Sequence, residues 1–174
     1  MIITLTGFMG SGKSRVGREL AKSLGWEFID LDRYIEHKTG LSIAEIFKEG
    51  ELKFRAIEAE AVRDIVTMRQ ITGDDLVLSL GGGTLTITSI RWLILGQTEC
   101  VFLRTSLDSI IGRLGTKSKS RPLYQNKFDI EELLDERTPV YELAKCTVQT
   151  DGLSPKEVSD KIKSFIFREN SITL

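Results

Sequence analysis

The chain has 174 residues, enough for one domain with a sizeable core, and its composition is that of a globular protein: 41% hydrophobic and 28% charged. A formal net charge of −1 gives no global attraction for nucleic acid or an acidic membrane, so any affinity for anions has to be local. An apolar run begins at residue 2, which leaves no room for a secretion signal, and no stretch approaches the roughly 18 apolar residues of a membrane span; the expected location is cytoplasmic. Cys100 and Cys146 lie in strand-like runs without a C-x-x-C pairing and read as buried, reduced thiols. His37 is the only histidine, set between Glu36 and Lys38, and reads as a solvated helix residue.

Strands are expected near Ile2–Thr6, Glu27–Asp30, Leu76–Leu80, Glu99–Leu103 and Cys146–Thr150. Helices are expected near Lys13–Leu24, Arg33–Lys38, Ile43–Lys48, Glu51–Met68, Ser89–Leu95, Leu107–Leu114, Ile130–Leu143 and Pro155–Arg168. Ser154 and Pro155 form a good start signal for the last helix, and residues after Arg168 are expected to fray. Strand and helix alternate throughout, which predicts a parallel sheet covered on both faces. Neither an internal repeat nor a change of composition divides the chain, so residues 1–174 are read as a single domain.

Between the first strand and helix stands Gly7-Phe8-Met9-Gly10-Ser11-Gly12-Lys13-Ser14, a G-x-x-x-x-G-K-S phosphate loop. Its glycines let successive backbone N–H groups turn toward phosphate oxygens, and the following helix adds its positive N-terminal end. Lys13 supplies a compact cation for the β- and γ-phosphates, and the Ser14 hydroxyl is a hard oxygen ligand suited to Mg²⁺. A nucleoside triphosphate is therefore the expected ligand.

The second strand ends Phe28-Ile29-Asp30-Leu31-Asp32, at the edge where parallel sheets bind ligands. Asp32 reads either as the N-cap of a helix starting at Arg33 or as a ligand-binding carboxylate. Asp30 has no capping role on this reading and needs a partner, which Mg²⁺ held through water would supply. The third strand runs into Gly81-Gly82-Gly83, which is either a tight turn or bare backbone against which a substrate lies. Arg55, four residues after Glu51 and three before Glu58, fits a surface ion pair as well as a carboxylate site. Arg137, between acidic residues and Pro139, fits a solvated helix end equally well. The basic segment Gly115-Thr116-Lys117-Ser118-Lys119-Ser120-Arg121-Pro122 reads as a solvated connection or as a loop closing over phosphates.

Taken together these segments resemble the shikimate kinase family from the first strand to the last helix. The resemblance rests on the phosphate loop, on Phe28-Ile29-Asp30-Leu31-Asp32, and on Thr39-Gly40-Leu41-Ser42-Ile43-Ala44-Glu45-Ile46-Phe47. It continues through Phe54-Arg55-Ala56-Ile57-Glu58, Leu80-Gly81-Gly82-Gly83, Ser120-Arg121-Pro122-Leu123 and Glu136-Arg137-Thr138-Pro139-Val140-Tyr141. It implies an α/β, three-layer P-loop fold: a five-stranded parallel sheet, helices on both faces, and a mobile lid at about 115–125. The implied activity is phosphorylation of shikimate by ATP to shikimate 3-phosphate, in chorismate and aromatic amino-acid biosynthesis.

By the same resemblance, Gly10, Ser11, Gly12, Lys13, Ser14, Arg15 and Arg121 bind ATP, with Arg113 and Pro155 sandwiching adenine. Asp32, Phe54, Arg55, Glu58, Gly81, Gly82, Gly83 and Arg137 form the substrate site, with residues 31–60 its main region. Ser14 and Asp30 serve Mg²⁺; Lys13, Asp32 and Arg121 are the implied catalytic residues. A monomer engaging ATP and shikimate, with no nucleic acid or membrane partner, is expected. The rival expectations are a kinase of another small metabolite such as gluconate, a nucleotide switch suggested by Asn126-Lys127-Phe128-Asp129, and a silent nucleotide-binding module. Against the switch stands the lack of any D-x-x-G sequence.

Overall fold

The run Ile2–Thr6 forms β1, and its side chains alternate between two cores: Ile2 faces one, Ile3 and Leu5 the other. The computed structural model describes residues 1–115 and 127–169. Around β1 lie β2 (Glu27–Asp30), β3 (Leu76–Ser79), β4 (Glu99–Arg104) and β5 (Cys146–Gln149), in the order β2-β3-β1-β4-β5, every pair parallel. With all strands running one way, all five C-terminal ends open at one edge. The chain leaves β1 toward β2 but leaves β4 toward β5, so the edge beside β1 is a switch point, where such sheets bind ligands.

Eight helices are described: α1 (Lys13–Leu24), α2 (Leu31–Thr39), α3 (Ile43–Lys48), α4 (Glu51–Thr72), α5 (Thr88–Gln97), α6 (Leu107–Gly115), α7 (Lys127–Tyr141) and α8 (Pro155–Glu169). α1 and α8 cover one face, packing Val16, Leu20, Val158 and Ile162 on Ile3, Leu5, Val77, Val101 and Leu103. The other face carries Val62, Ile65, Ile90, Ile94 and Tyr141 from α4, α5 and α7, over Leu76, Leu78, Cys100 and Phe102. The three-layer reading holds.

Several boundaries differ for local reasons. α2 begins at Leu31, whose side chain is buried, so its cap is Asp30 rather than Asp32: the Asp30 carboxylate accepts from Arg33 N–H at 3.5 Å. The expectation that Asp30 has no capping role is corrected by the same bond. α4 runs on past Met68 to Thr72, where Gly73 ends it with a left-handed φ of 74°. α7 starts at Lys127 instead of Ile130 and passes through Pro139. A single 3-10 turn at Thr84–Thr86, not expected, follows the three glycines. α8 starts as expected, with Ser154 and Glu157 forming a reciprocal capping pair.

Both cysteines are buried and neither forms a disulfide, and burial pushes the Cys100 thiol up to about 11. His37 is exposed. Among the described residues no helix is long and apolar enough to cross a membrane. The lid expected at about 115–125, with Arg121, and the frayed end expected after Arg168 fall almost wholly outside the described residues.

Leu20 has no exposure and joins α1 to the sheet. Leu20→Ala is expected to cost about 2–5 kcal/mol in urea unfolding, without a change in m-value.

Candidate active site

The loop Gly7–Gly12 turns at the C-terminal end of β1 and delivers its backbone to the N-terminus of α1. Gly7, at φ 142°, has to be glycine, since a Cβ there would stand 2.7 Å from the Leu103 carbonyl oxygen. Lys13 Nζ donates to the carbonyls of Gly7 at 2.7 Å and Phe8 at 2.9 Å, which holds the cation at the mouth of the loop. Ser14 Oγ donates to Asp30 Oδ2, so the two groups expected to serve a metal sit side by side.

Opposite this loop, α4 and the turn after β3 build a second half-site. Glu58 is fully buried; its Oε2 accepts from Arg55 Nη1 at 2.6 Å and its Oε1 from Thr84 Oγ1 at 2.6 Å. Arg55 also donates to Glu51 through Nη2 at 3.1 Å and Nε at 3.3 Å, and its guanidinium lies 5.2 Å from the Phe54 ring centroid. Burial works against this cation, but Glu58 and Glu51 outweigh it and hold its pKa above the ordinary value. Phe54 stacks in turn on Phe47, the ring centroids 4.4 Å apart. The surface-pair and half-site readings of Arg55 thus meet: Glu51 is exposed and Glu58 is not.

The glycines leave room for these neighbours. A Cβ on Gly81 would fall 2.6 Å from Glu58 Oε1 and 3.3 Å from Asp32 Oδ1; one on Gly83 would fall 2.4 Å from Arg55 Nη2. Arg137, half-buried on α7, brings Nη1 to 3.6 Å from the Cβ position of Gly82, and Tyr141 of the same helix donates its hydroxyl to the Gly82 carbonyl.

A third group marks the far end. Arg113 donates Nη1 to the Gly10 carbonyl at 3.0 Å, and Thr150, Leu153 and Pro155 stand nearby in the same lining. Asp151 secures the loop by accepting from Ser106 N–H at 3.1 Å and from Ser106 Oγ at 2.8 Å. The Ser109 hydroxyl above all, then Ser106 and the Arg113 charge, hold the Asp151 carboxyl below its usual range, against the opposing effect of burial.

Lys13, Ser14, Asp30, Phe54, Arg55, Glu58, the three glycines, Arg113 and Arg137 line one cleft of about 840 Å³, and Thr84, Tyr141 and Asp151 hold its walls from behind. Every site residue expected from the sequence lies along it except Arg121, which is outside the described residues. The sequence reading gave no role to Thr84 or Tyr141, and it named neither Glu36 nor the wall from Ser42 to Phe47 individually, although both lie in the 31–60 region it expected to bind substrate. Among the described residues no cluster of three or more His, Cys, Asp or Glu side chains could hold a metal by itself. The cleft therefore joins the glycine loop after β1 to a pocket lined by Arg55 and Arg137.

Comparison with known proteins agrees with that arrangement. The family model described as shikimate kinase matches residues 9–167. The chain belongs to the shikimate kinase family. A shikimate kinase of Thermus thermophilus is 47% identical over 170 residues, 95% of this chain and 90% of that one. The corresponding protein of Moorella thermoacetica is 40% identical, over 92% of this chain and 91% of the relative. Among solved structures, the shikimate kinase from Acinetobacter baumannii in complex with shikimate matches with a TM-score of 0.89 at 35% identity, over 99% of this chain and 95% of that one. A gluconokinase from Sinorhizobium meliloti, at 18% identity and a TM-score of 0.61, shares the fold alone.

Because the folded state depresses the Asp151 pKa, its contribution to stability is present above the unfolded carboxylate value and is lost as pH falls through the folded one. Asp151→Asn is therefore expected to flatten the acid limb of Tm against pH. An unchanged limb would show that the contacts of Asp151 add nothing to folding.

Proposed function

We propose that this chain transfers the γ-phosphoryl group of ATP to the 3-hydroxyl of shikimate, giving shikimate 3-phosphate and ADP. The observation that carries the reading is the convergence of Arg55 and Arg137 on the three-glycine turn, across one cleft from the phosphate loop. Planar guanidinium groups bind a carboxylate in paired geometry, and shikimate has one carboxylate beside several ring hydroxyls. Residues 31–60 supply most of the acceptor wall, with Phe54 against the ring and Glu58 holding Arg55 in place.

Phosphoryl transfer asks mainly for alignment and charge neutralisation. Backbone N–H groups of Gly10–Ser14 and the Lys13 ammonium hold the phosphates, with Arg15 beside them, while Arg113 and Pro155 hold the base. Asp32, beside Gly81, orients the attacking hydroxyl and takes its proton as the new O–P bond forms. Gly82 offers backbone to the ring hydroxyls.

The adjacent Ser14 hydroxyl and Asp30 carboxylate are hard oxygen donors next to the phosphate loop, a set that suits Mg²⁺, which takes few protein ligands and completes its shell with phosphate and water. When bound, the ion would neutralise charge on the phosphate oxygens. We assign the protein to the cytoplasm, as a monomer without nucleic-acid or membrane partners, in keeping with two cysteines outside any disulfide and a net charge of −1.

Coupled measurement of ADP release from Mg²⁺-ATP, with shikimate, gluconate or no acceptor, tests the reading. Turnover that depends on shikimate is expected; turnover with gluconate alone, or with neither, would overturn the acceptor assignment. Asp32→Ala is expected to lower kcat by about a hundredfold or more while ATP affinity stays within about twofold. Arg137→Lys is expected to raise the shikimate KM about tenfold, because an ammonium cannot reproduce the paired geometry.

A further inference from the structure

Tyr141 is fully buried, with its ring 5.2 Å from that of Phe102 on β4, yet its hydroxyl reaches out of this core to the Gly82 carbonyl. Arg137 lies four residues earlier on α7, and so on the same face of the helix. One turn of α7 therefore meets Gly82 at two points: Arg137 Nη1 at 3.6 Å from the position a Cβ would take and Tyr141 Oη on its carbonyl.

Between those two residues lies Pro139. It has no N–H to return to the carbonyl of Asp135, and its ring crowds the preceding turn, so the helix is held less firmly by its own ladder there. The Thr138 hydroxyl turns back to the Leu134 carbonyl at 2.7 Å, a bond that also bends helices. The turn carrying Arg137 thus takes part of its placement from outside the helix.

The three-glycine turn has the same need. It bears no side chains of its own, and its fit to a ligand depends on where its peptide planes point. The Gly82 carbonyl and the Gly83 N–H share one plane and point in opposite directions, so a bond that fixes the first fixes the second.

We propose that Tyr141 is a positioning residue for the acceptor site: its hydroxyl ties the Arg137 turn of α7 to the Gly82–Gly83 peptide and sets the distance between the arginine and the backbone donors. The proposal rests on the kinase reading above and names a part of that site. The groups that Tyr141 ties, the Arg137 turn and the Gly82–Gly83 peptide, belong to the acceptor half, although Gly82 also stands against the phosphate loop, its Cβ position 3.5 Å from Met9 N; the ATP KM is therefore read beside the shikimate KM.

The test is Tyr141→Phe, which keeps the buried ring and removes only the donor. The expected result is a shikimate KM raised about five- to tenfold, with the ATP KM and kcat within about twofold. Equal rises in both KM values accompanied by a lower Tm, or no change in KM, would overturn the proposal in favour of a purely structural tyrosine. Backbone amide exchange gives an independent readout: Gly83 and residues 137–141 should exchange faster in Tyr141→Phe than in the parent, while β1 stays protected. If the parent fails to turn over shikimate, the kinase reading falls on that result. Exchange then decides the tie: unchanged exchange refutes it and faster exchange supports it.

Discussion

A carboxylate cut off from water sits at the centre of the acceptor half of the cleft, and much of its surroundings follows from the need to satisfy it. Glu58 has no exposure, and a buried charge of that kind costs several kcal/mol unless it is paired and hydrogen-bonded. Arg55 supplies the opposite charge and Thr84 a hydroxyl, one to each oxygen. Once Glu58 holds Arg55, the guanidinium occupies the space against Gly83, and Glu58 itself occupies the space against Gly81. A residue with a Cβ at either position would have to push the Glu58 carboxylate or the Arg55 guanidinium out of its place. The bare turn, the fixed arginine and the 3-10 turn that carries Thr84 are therefore one solution to one electrostatic problem. A pocket arranged in advance in this way loses little on meeting its ligand, because the cost of ordering it was met in folding.

The sheet supplies the second constraint. All five strands are parallel, so the turns after β1, β2, β3 and β5 share an edge, and each brings a different part of the cleft. The turn after β1 brings the phosphate loop, β2 brings Asp30 and Asp32, β3 the three glycines, and β5 the loop toward Pro155. α7 crosses from outside this set, and it carries Arg137. Nucleotide and acceptor ends are built on different strands but on one rigid frame, which suits a transfer governed by alignment.

The frame and the phosphate end were legible from the chain alone, since alternating apolar strands and a glycine loop before Lys13 and Ser14 are local signals. The parts that were not legible depend on neighbours distant in sequence. The start of α2 was set two residues early by the burial of Leu31, which made Asp30 the cap and left Asp32 in the first turn. Nothing near Thr84 announces that its hydroxyl faces Glu58, twenty-six residues earlier. Arg55 stayed open between a surface ion pair and a carboxylate site because its i−4 and i+3 partners are both acidic; only the burial of Glu58 separates the two readings. The solvated helix end that was one reading of Arg137 gives way to a half-buried position on α7, which runs through Pro139 as expected and is anchored beyond it by Tyr141 in the core.

The claim on which the acceptor site rests is that buried Glu58 presets Arg55 for a carboxylate. Calorimetric titration of shikimate into the parent and into Glu58→Gln tests it most directly. The substitution keeps the shape and the bond from Thr84 but turns an amide toward the guanidinium. The account predicts shikimate affinity reduced at least about tenfold, with ATP affinity within about twofold in a protein that still unfolds cooperatively. Undiminished shikimate affinity in the folded variant would contradict it.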